Sequence, residues 1–184
     1  KAKTWLGNLT LTPVSGLTLS TNLVTGAERA RNSRDKRTVI DLVATWQPLD
    51  ELTLMANYDF GHESSVTQGT APTAAGRDGF ENAEWQGLAL YAKYDLTPTW
   101  SLAGRWEWFD DKDNARIGFT GPEVIAPLDI DYYEYTLTSQ WKLRNNVLAR
   151  LEYRHDKADE QVFLHDGAFT NYQDTVAAEL IYQF

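Results

Sequence analysis

The sequence predicts an all-β protein: an antiparallel, up-and-down transmembrane β-barrel with its apolar face turned outward. Segment after segment alternates apolar and polar residues with a period of two, the pattern of strands whose two faces meet different surroundings. The segments run to about ten residues or more, the length of a tilted strand crossing a bilayer, where a soluble strand has roughly 5–6. The connections alternate short and long along the chain. No segment combines a 3.6-residue period with helix caps.

Nine strands follow in order. Over 3–12, Leu9 and Leu11 oppose Asn8, Thr10 and Thr12. Over 17–26, Leu17, Leu19 and Leu23 oppose Thr18, Ser20 and Asn22. Over 37–47, Ile40, Leu42, Ala44 and Trp46 oppose Asp41 and Thr45. Over 51–61, Leu52, Leu54, Ala56, Tyr58 and Phe60 oppose Thr53, Asn57 and Asp59. Over 84–96, Leu88, Leu90, Ala92, Tyr94 and Leu96 oppose Gly87, Ala89, Tyr91, Lys93 and Asp95. Over 99–110, Trp100, Leu102, Gly104, Trp106 and Trp108 oppose Ser101, Ala103, Arg105 and Glu107. Over 131–143, Tyr133, Tyr135, Leu137, Trp141 and Leu143 oppose Glu134, Thr136, Thr138, Gln140 and Lys142. Over 146–156, Val147, Ala149, Leu151 and Tyr153 oppose Arg150, Glu152 and Arg154. The last, 173–184, is the clearest: Val176, Ala178, Leu180, Tyr182 and Phe184 oppose Thr175, Ala177, Glu179, Ile181 and Gln183.

Tight turns fall at Pro13 to Gly16, Pro48 to Asp50, Thr97-Pro98 and Arg144-Asn145, where Pro, Gly, Asn and Asp supply the geometry. Long connections fall at 27–36, 62–83, 111–130 and 157–172. Short turns at one end and long loops at the other is the asymmetry of an outer-membrane barrel.

Alternation alone does not separate a membrane barrel from a soluble sandwich or lipocalin-like barrel, which hides its apolar face inside. Two further features favour lipid outside. Aromatic residues gather toward strand ends as two girdles: Trp46, Tyr94, Trp100 and Trp141 beside the short turns, and Tyr58, Trp106, Trp108, Tyr133 and Tyr153 toward the long loops. The polar face carries charge in mid-strand, as a wet lumen permits. Its expected lining is Asp41, Asp59, Lys93, Asp95, Arg105, Glu107, Glu134, Lys142, Arg150, Glu152, Arg154 and Glu179. These side chains would set ion selectivity in an open pore, or neutralise one another across a filled lumen.

Composition excludes other classes. The 184 residues hold 17 Lys+Arg against 26 Asp+Glu, a net charge of -9, which argues against a nucleic-acid partner. No cysteine is present, so disulfides, thiolate metal sites and thiol nucleophiles are out. No apolar run approaches the ~20 residues of a membrane helix. Seven Trp and nine Tyr beside one Met suit strands.

Candidate chemical sites are weak. His62, His155 and His165 lie in or beside loops, and no serine elbow appears; Ser139 is on the apolar face. No catalytic residue, cofactor or metal site is expected. The acidic loop Asp110, Asp111, Asp113 and Asn114 offers hard oxygen donors but lacks EF-hand spacing, so a solvated loop is the better reading. The basic run Arg29, Arg31, Arg34, Lys36 and Arg37 lies in a long loop, where it would meet lipopolysaccharide phosphates or simply solvent. The segment 117–130 is apolar enough to fold inward across a lumen.

The chain ends in Leu180, Tyr182 and Phe184 at alternating positions, which resembles the C-terminal strand signature read by the outer-membrane barrel-assembly machinery. The stretches 17–26, 85–94 and 149–156 resemble a β-barrel porin family of Gram-negative bacteria, over most of the chain. Members of that family are larger, so the resemblance implies the C-terminal section of a bigger barrel. It also implies an outer-membrane location, contact with outer-membrane lipid, and passive diffusion of small hydrophilic solutes.

Counting back from Phe184, the first strand would start outside, where an intact even-stranded barrel does not begin. Either 1–12 is an extension on an eight-stranded barrel, or the single domain 1–184 is part of a larger ring. A closed eight-stranded barrel has room inside only for its own side chains, and would serve a structural or adhesive role through its loops. Oligomeric state is left open by the sequence.

Overall fold

The structure, a computed structural model, describes residues 3–28, 33–66, 81–113, 116–117 and 130–184. Period-two patterning becomes strand wherever it was expected. The long strands are β1 (Trp5–Val14), β2 (Leu17–Gly26), β3 (Arg37–Leu49), β4 (Leu52–Val66), β5 (Glu81–Thr97), β6 (Trp100–Asp110), β7 (Asp131–Arg144), β8 (Val147–Ala158) and β11 (Tyr172–Tyr182). They form one nine-stranded antiparallel sheet in the order β1-β2-β3-β4-β5-β6-β7-β8-β11. Each long strand pairs with its sequence neighbour, so the sheet runs up and down without a crossover.

Two differences from expectation have physical causes. β4 and β5 continue past 61 and before 84, because cross-strand pairs such as Glu63↔Ala83 prolong the ladder through polar residues that alternation alone does not mark. The last connection contains a small hairpin, β9 (Phe163–His165) with β10 (Ala168–Thr170). Its turn is Asp166-Gly167, both at positive φ (48° and 82°), the Asp-Gly signature of a two-residue hairpin loop.

The short turns are tight and locally irregular. Register shifts fall at Leu11/Val14, Trp46/Leu49, Asp95/Thr97 and Lys142/Arg144, next to the turns that hold Pro13, Pro48, Pro98 and Asn145. Gly16 has φ +77°, and a β-carbon there would lie 2.6 Å from the Gln47 carbonyl oxygen, so only glycine fits that turn.

Register assigns each residue to a face. Asn8↔Asn22, Asn22↔Asp41, Asp41↔Asp59 and Asp59↔Gly87 form one cross-sheet row on the polar face. Glu107↔Glu134, Glu134↔Asp156 and Asp156↔Gln173 form another. The opposite face is apolar: Leu54↔Ala92, Ala92↔Gly104, Gly104↔Leu137, Leu137↔Tyr153 and Tyr153↔Val176 run along it.

The faces differ in exposure, and against the sense of a soluble protein. Leu137 is 56% exposed, Leu151 49% and Leu180 70%, whereas Glu134 is 4% and Asp156 5% exposed. The sheet curls about its polar side and presents its leucines outward. A contiguous apolar surface of this extent is unfavourable in water and favourable in hydrocarbon.

β1 and β11 each pair with a single neighbour, and among the described residues they do not pair with each other. Both are exposed along nearly their whole length. Eight antiparallel steps separate them, so they run in the same direction.

Candidate functional site

The polar face of β5, β6, β7, β8 and β11 carries a connected charge network. At its centre Glu134 accepts a hydrogen bond from Arg105 Nε at 2.8 Å and one from the Thr136 hydroxyl at 2.6 Å. Its other oxygen pairs with Arg154 at 2.9 Å. Arg154 Nε also donates to Asp156 at 2.8 Å, and Gln173 Nε2 donates to the second Asp156 oxygen at 3.0 Å. Glu107 lies 3.5 Å from Arg105 and accepts a bond from the Tyr91 hydroxyl at 3.3 Å. Glu134 therefore joins cations from two flanking strands, which the tight strand spacing allows because all these residues point the same way.

Nearer the short turns, Arg150 pairs with Glu179 at 3.2 Å and donates to Gln140 at 2.7 Å. Lys93 pairs with Asp95 at 2.6 Å, and the Thr138 hydroxyl donates to Glu152 at 2.8 Å. A cavity of about 410 Å³ opens over this part of the face, lined by Lys93, Ser101, Thr138, Gln140, Arg150 and Glu152.

The polar face of β1 to β4 is different. Amides and hydroxyls dominate it: Asn8 donates to Asn22 at 2.6 Å, Asn22 to Asp41 at 2.6 Å, and Asn57 to the other Asp41 oxygen. Thr10 and Ser20 hydroxyls meet at 3.0 Å. Asp41 and Asp59 stand directly opposite one another across β3 and β4.

A third cluster lies toward the long loops. Arg37 Nε donates to Glu63 at 2.8 Å, and Arg116 approaches the same carboxylate at 3.8 Å. The Arg116 guanidinium sits 4.4 Å from the centroid of the Trp85 ring, a cation–π distance. Its segment is held by Asp111, whose Oδ2 accepts the backbone N–H groups of Arg116 and Ile117, each at 2.9 Å. The chain beyond β6 thus turns back over the polar face at residues 116–117. Burial, with Arg37 nearby, pushes the Arg116 guanidinium below its usual range. At the same end, Glu84 at 2.6 Å holds the Lys112 ammonium above its usual range.

All twelve residues expected to line a lumen lie on the polar face: Asp41, Asp59, Lys93, Asp95, Arg105, Glu107, Glu134, Lys142, Arg150, Glu152, Arg154 and Glu179. Glu134, Arg105, Arg154, Glu107, Arg150, Glu179, Lys93 and Asp95 are brought into ion pairs; among the described residues Asp41, Asp59, Glu152 and Lys142 are not.

The aromatic residues expected as girdles lie on the opposite face, and several pair across strands, as in Trp100↔Trp141 and Trp108↔Tyr133. Four of their polar tips hold hydrogen bonds. Trp100 Nε1 donates to Ser139 at 2.9 Å, Trp108 Nε1 to Asp131 at 2.8 Å, Tyr58 to Gln86 at 2.9 Å and Tyr153 to Asp174 at 2.6 Å. That is the behaviour of amphipathic rings whose two ends meet different media.

Sequence reasoning missed Trp85, Glu63, Asp156 and Gln173 on the polar face. Arg37, read as a loop cation, is the first residue of β3 and faces Glu63. Its period-two relation to Asp41 was the available signal. Arg29 and Arg31 lie outside the described residues, as do Asn114 and most of 117–130. The acidic loop spends its oxygens on protein donors: Asp110 accepts from Gln86, Asp111 from two backbone amides and Asp113 from the Glu84 N–H at 2.8 Å. Among the described residues no group of three or more His, Asp or Glu is placed to hold a metal ion. His62 faces Glu84 at 3.5 Å and His155 faces Asp174 at 2.9 Å; neither has a serine beside it in these contacts.

Comparison with solved structures aligns the whole chain with NanC porin at a TM-score of 0.65 and 10% identity, covering 79% of that chain. At that identity the likeness is one of fold. No curated protein matches in sequence. Over residues 1–184 the sequence matches a family model described as "Putative beta-barrel porin-2, OmpL-like", and the chain belongs to that porin family.

Proposed function

We propose that this chain forms much of the wall of a water-filled pore in the outer membrane of a Gram-negative bacterium, through which small hydrophilic solutes diffuse passively. The observation that carries the reading is the inversion of faces: charged residues such as Glu134 and Asp156 are enclosed, and leucines such as Leu180 are exposed. Hydrocarbon around the leucines and water around the charges satisfy both. No catalytic step, cofactor or metal is part of this reading. The apolar face meets lipid, the long loops meet lipopolysaccharide, and Leu180, Tyr182 and Phe184 present the strand signature to the assembly machinery.

A strand edge in lipid leaves backbone N–H and C=O groups unsatisfied at several kcal/mol each, so the ring must close. β1 and β11 run the same way and would join only in parallel. A second copy in the same membrane orientation would meet the same obstacle. An odd number of further strands from the same polypeptide gives antiparallel pairing at both edges and an even ring. The competing reading, a filled eight-stranded barrel acting through its loops, requires β2 to meet β11, but the outer edge of β2 is taken by β1 from Trp5↔Thr25 to Leu11↔Leu19.

Single-channel recording of the full polypeptide in planar bilayers tests the proposal. Stable conductance steps are expected. A folded, membrane-inserted protein that stays electrically silent overturns it in favour of the filled barrel.

A further inference from the structure

The charges of the polar face do not cancel, and the imbalance has a definite place. Every arginine and lysine in mid-strand on that face is matched. Arg105 and Arg154 share Glu134, Arg150 holds Glu179, Lys93 holds Asp95, and Arg37 holds Glu63. Lys142 sits apart at the short-turn end, sharing a cavity with Asp50, Glu51 and Asp95. The carboxylates are not all matched. Asp41, Asp59 and Glu152 have no Lys, Arg or His within 4.0 Å among the described residues; amides hold Asp41 and a hydroxyl holds Glu152.

Asp41 and Asp59 are the sharper case. They oppose each other directly, in a row that runs from Asn8 and Asn22 through both aspartates to Gly87, Phe109 and Tyr132 and holds no cation. Like charges facing across strands destabilise a sheet. The Asn22 and Asn57 amides turn their donors to Asp41 and fix that carboxylate in place without adding positive charge. The neighbouring strands β1 and β2 contribute no charged side chain to the same stretch of wall, where hydroxyls such as Thr10 and Ser20 stand beside Leu6 and Val24. Among the described residues, the negative potential of this stretch therefore faces the enclosed space without a cation against it, while the wall from β6 to β11 is largely neutralised by its own pairs.

We propose that the pore prefers cations to anions, and that Asp41 and Asp59 are the residues that set this preference. Fixed charge acts on a permeating ion through the local potential, raising the concentration of counter-ions in the constriction and depleting co-ions. Matched pairs contribute little because their fields cancel within a few ångströms. The inference rests on the pore reading and names the solute charge that reading leaves open.

The test is the reversal potential of the reconstituted full polypeptide under a potassium chloride gradient. The expected result is potassium preferred over chloride. Asp41→Asn with Asp59→Asn, which keeps the shape and one of the two amide contacts at position 41, should lower the potassium-to-chloride permeability ratio by about twofold or more, the effect of a unit charge or two at pore distances. Asp59→Asn alone, which leaves the Asn22–Asp41–Asn57 bonds untouched, should lower it by a smaller factor and serves if the double variant does not fold. Replacing a matched pair, Lys93→Gln with Asp95→Asn, should change the ratio by a smaller factor than the double aspartate variant does, and an equal change counts against the inference. Conducting channels that prefer chloride, or a ratio insensitive to both aspartates, overturn this inference and leave the pore reading standing. Absence of any conductance sinks both.

Discussion

Trp85 occupies the space that a side chain on Gly61 would need, and the Arg116 guanidinium lies over the Trp85 ring. The three residues come from β4, β5 and the connection after β6, so one small residue sets how a loop seats on the wall. Glycine at 61 is required for close approach of the indole, not for its backbone angles. Gly61→Val should expel the Trp85 ring, with a cost of about 1–3 kcal/mol typical of overpacking. The measurement is the temperature at which the refolded protein loses its compact, fast-migrating form on gels. Trp85→Ala in the Gly61→Val background should recover part of the loss, because the clash goes with the ring. No recovery would show that Gly61 matters for some other reason.

Glu134 is the node of the charge network. It bonds Arg105 from β6 and Arg154 from β8 and is almost fully enclosed. Glu134→Ala leaves two guanidiniums without their shared partner, and Thr136 loses its acceptor. Both arginines are roughly a third or more exposed, so water screens part of the penalty, and about 1–2 kcal/mol is expected. Glu152→Ala removes only a hydroxyl partner and should cost less. Equilibrium urea unfolding in detergent compares the two; equal losses would mean that Arg105 and Arg154 find other acceptors without strain.

How much of this was legible beforehand follows from where the physics is local. Period-two alternation reports strand and face directly, so Arg105 and Trp106 could be sent to opposite sides from neighbours in sequence alone. Pairing partners are set by register, which depends on turn length and on shifts such as Trp46/Leu49, and these leave little trace in the pattern. Hence Glu134 was identifiable as a polar-face carboxylate, but not as the group between two arginines, and Asp41 could not be seen to face Asp59. Trp85 was hidden for another reason. A tryptophan on a polar face breaks the alternation rule, and it is tolerated because Gly61 makes room for it and Arg116 covers it. The Phe163 to Thr170 hairpin lay behind an Asp-Gly signal too short to stand out among loop residues.

The absence of cysteine makes the two faces separately addressable. Cysteines placed one at a time along β6 should alternate in reactivity toward a membrane-impermeant thiol reagent. Ala103→Cys and Glu107→Cys, on the polar face, should label from water in intact membranes. Leu102→Cys, on the apolar face, should label only after detergent or denaturant. The opposite alternation would place water outside the sheet and remove the basis of the pore.

Phe184 lies beyond the last ladder pair, Tyr182↔Val147, and is fully exposed, with Leu180 and Tyr182 exposed on the same apolar side. Its packing supports nothing else in the sheet, so its removal should have almost no effect on the stability of the folded protein. In the proposed function its alternation with Leu180 and Tyr182 serves instead for recognition of β11 during assembly. Deleting Phe184 should therefore lower the amount of folded protein recovered from outer membranes severalfold while leaving the urea midpoint of detergent-refolded protein unchanged. A matching loss in both measurements would make Phe184 a structural residue, and no loss in either would remove the assembly role.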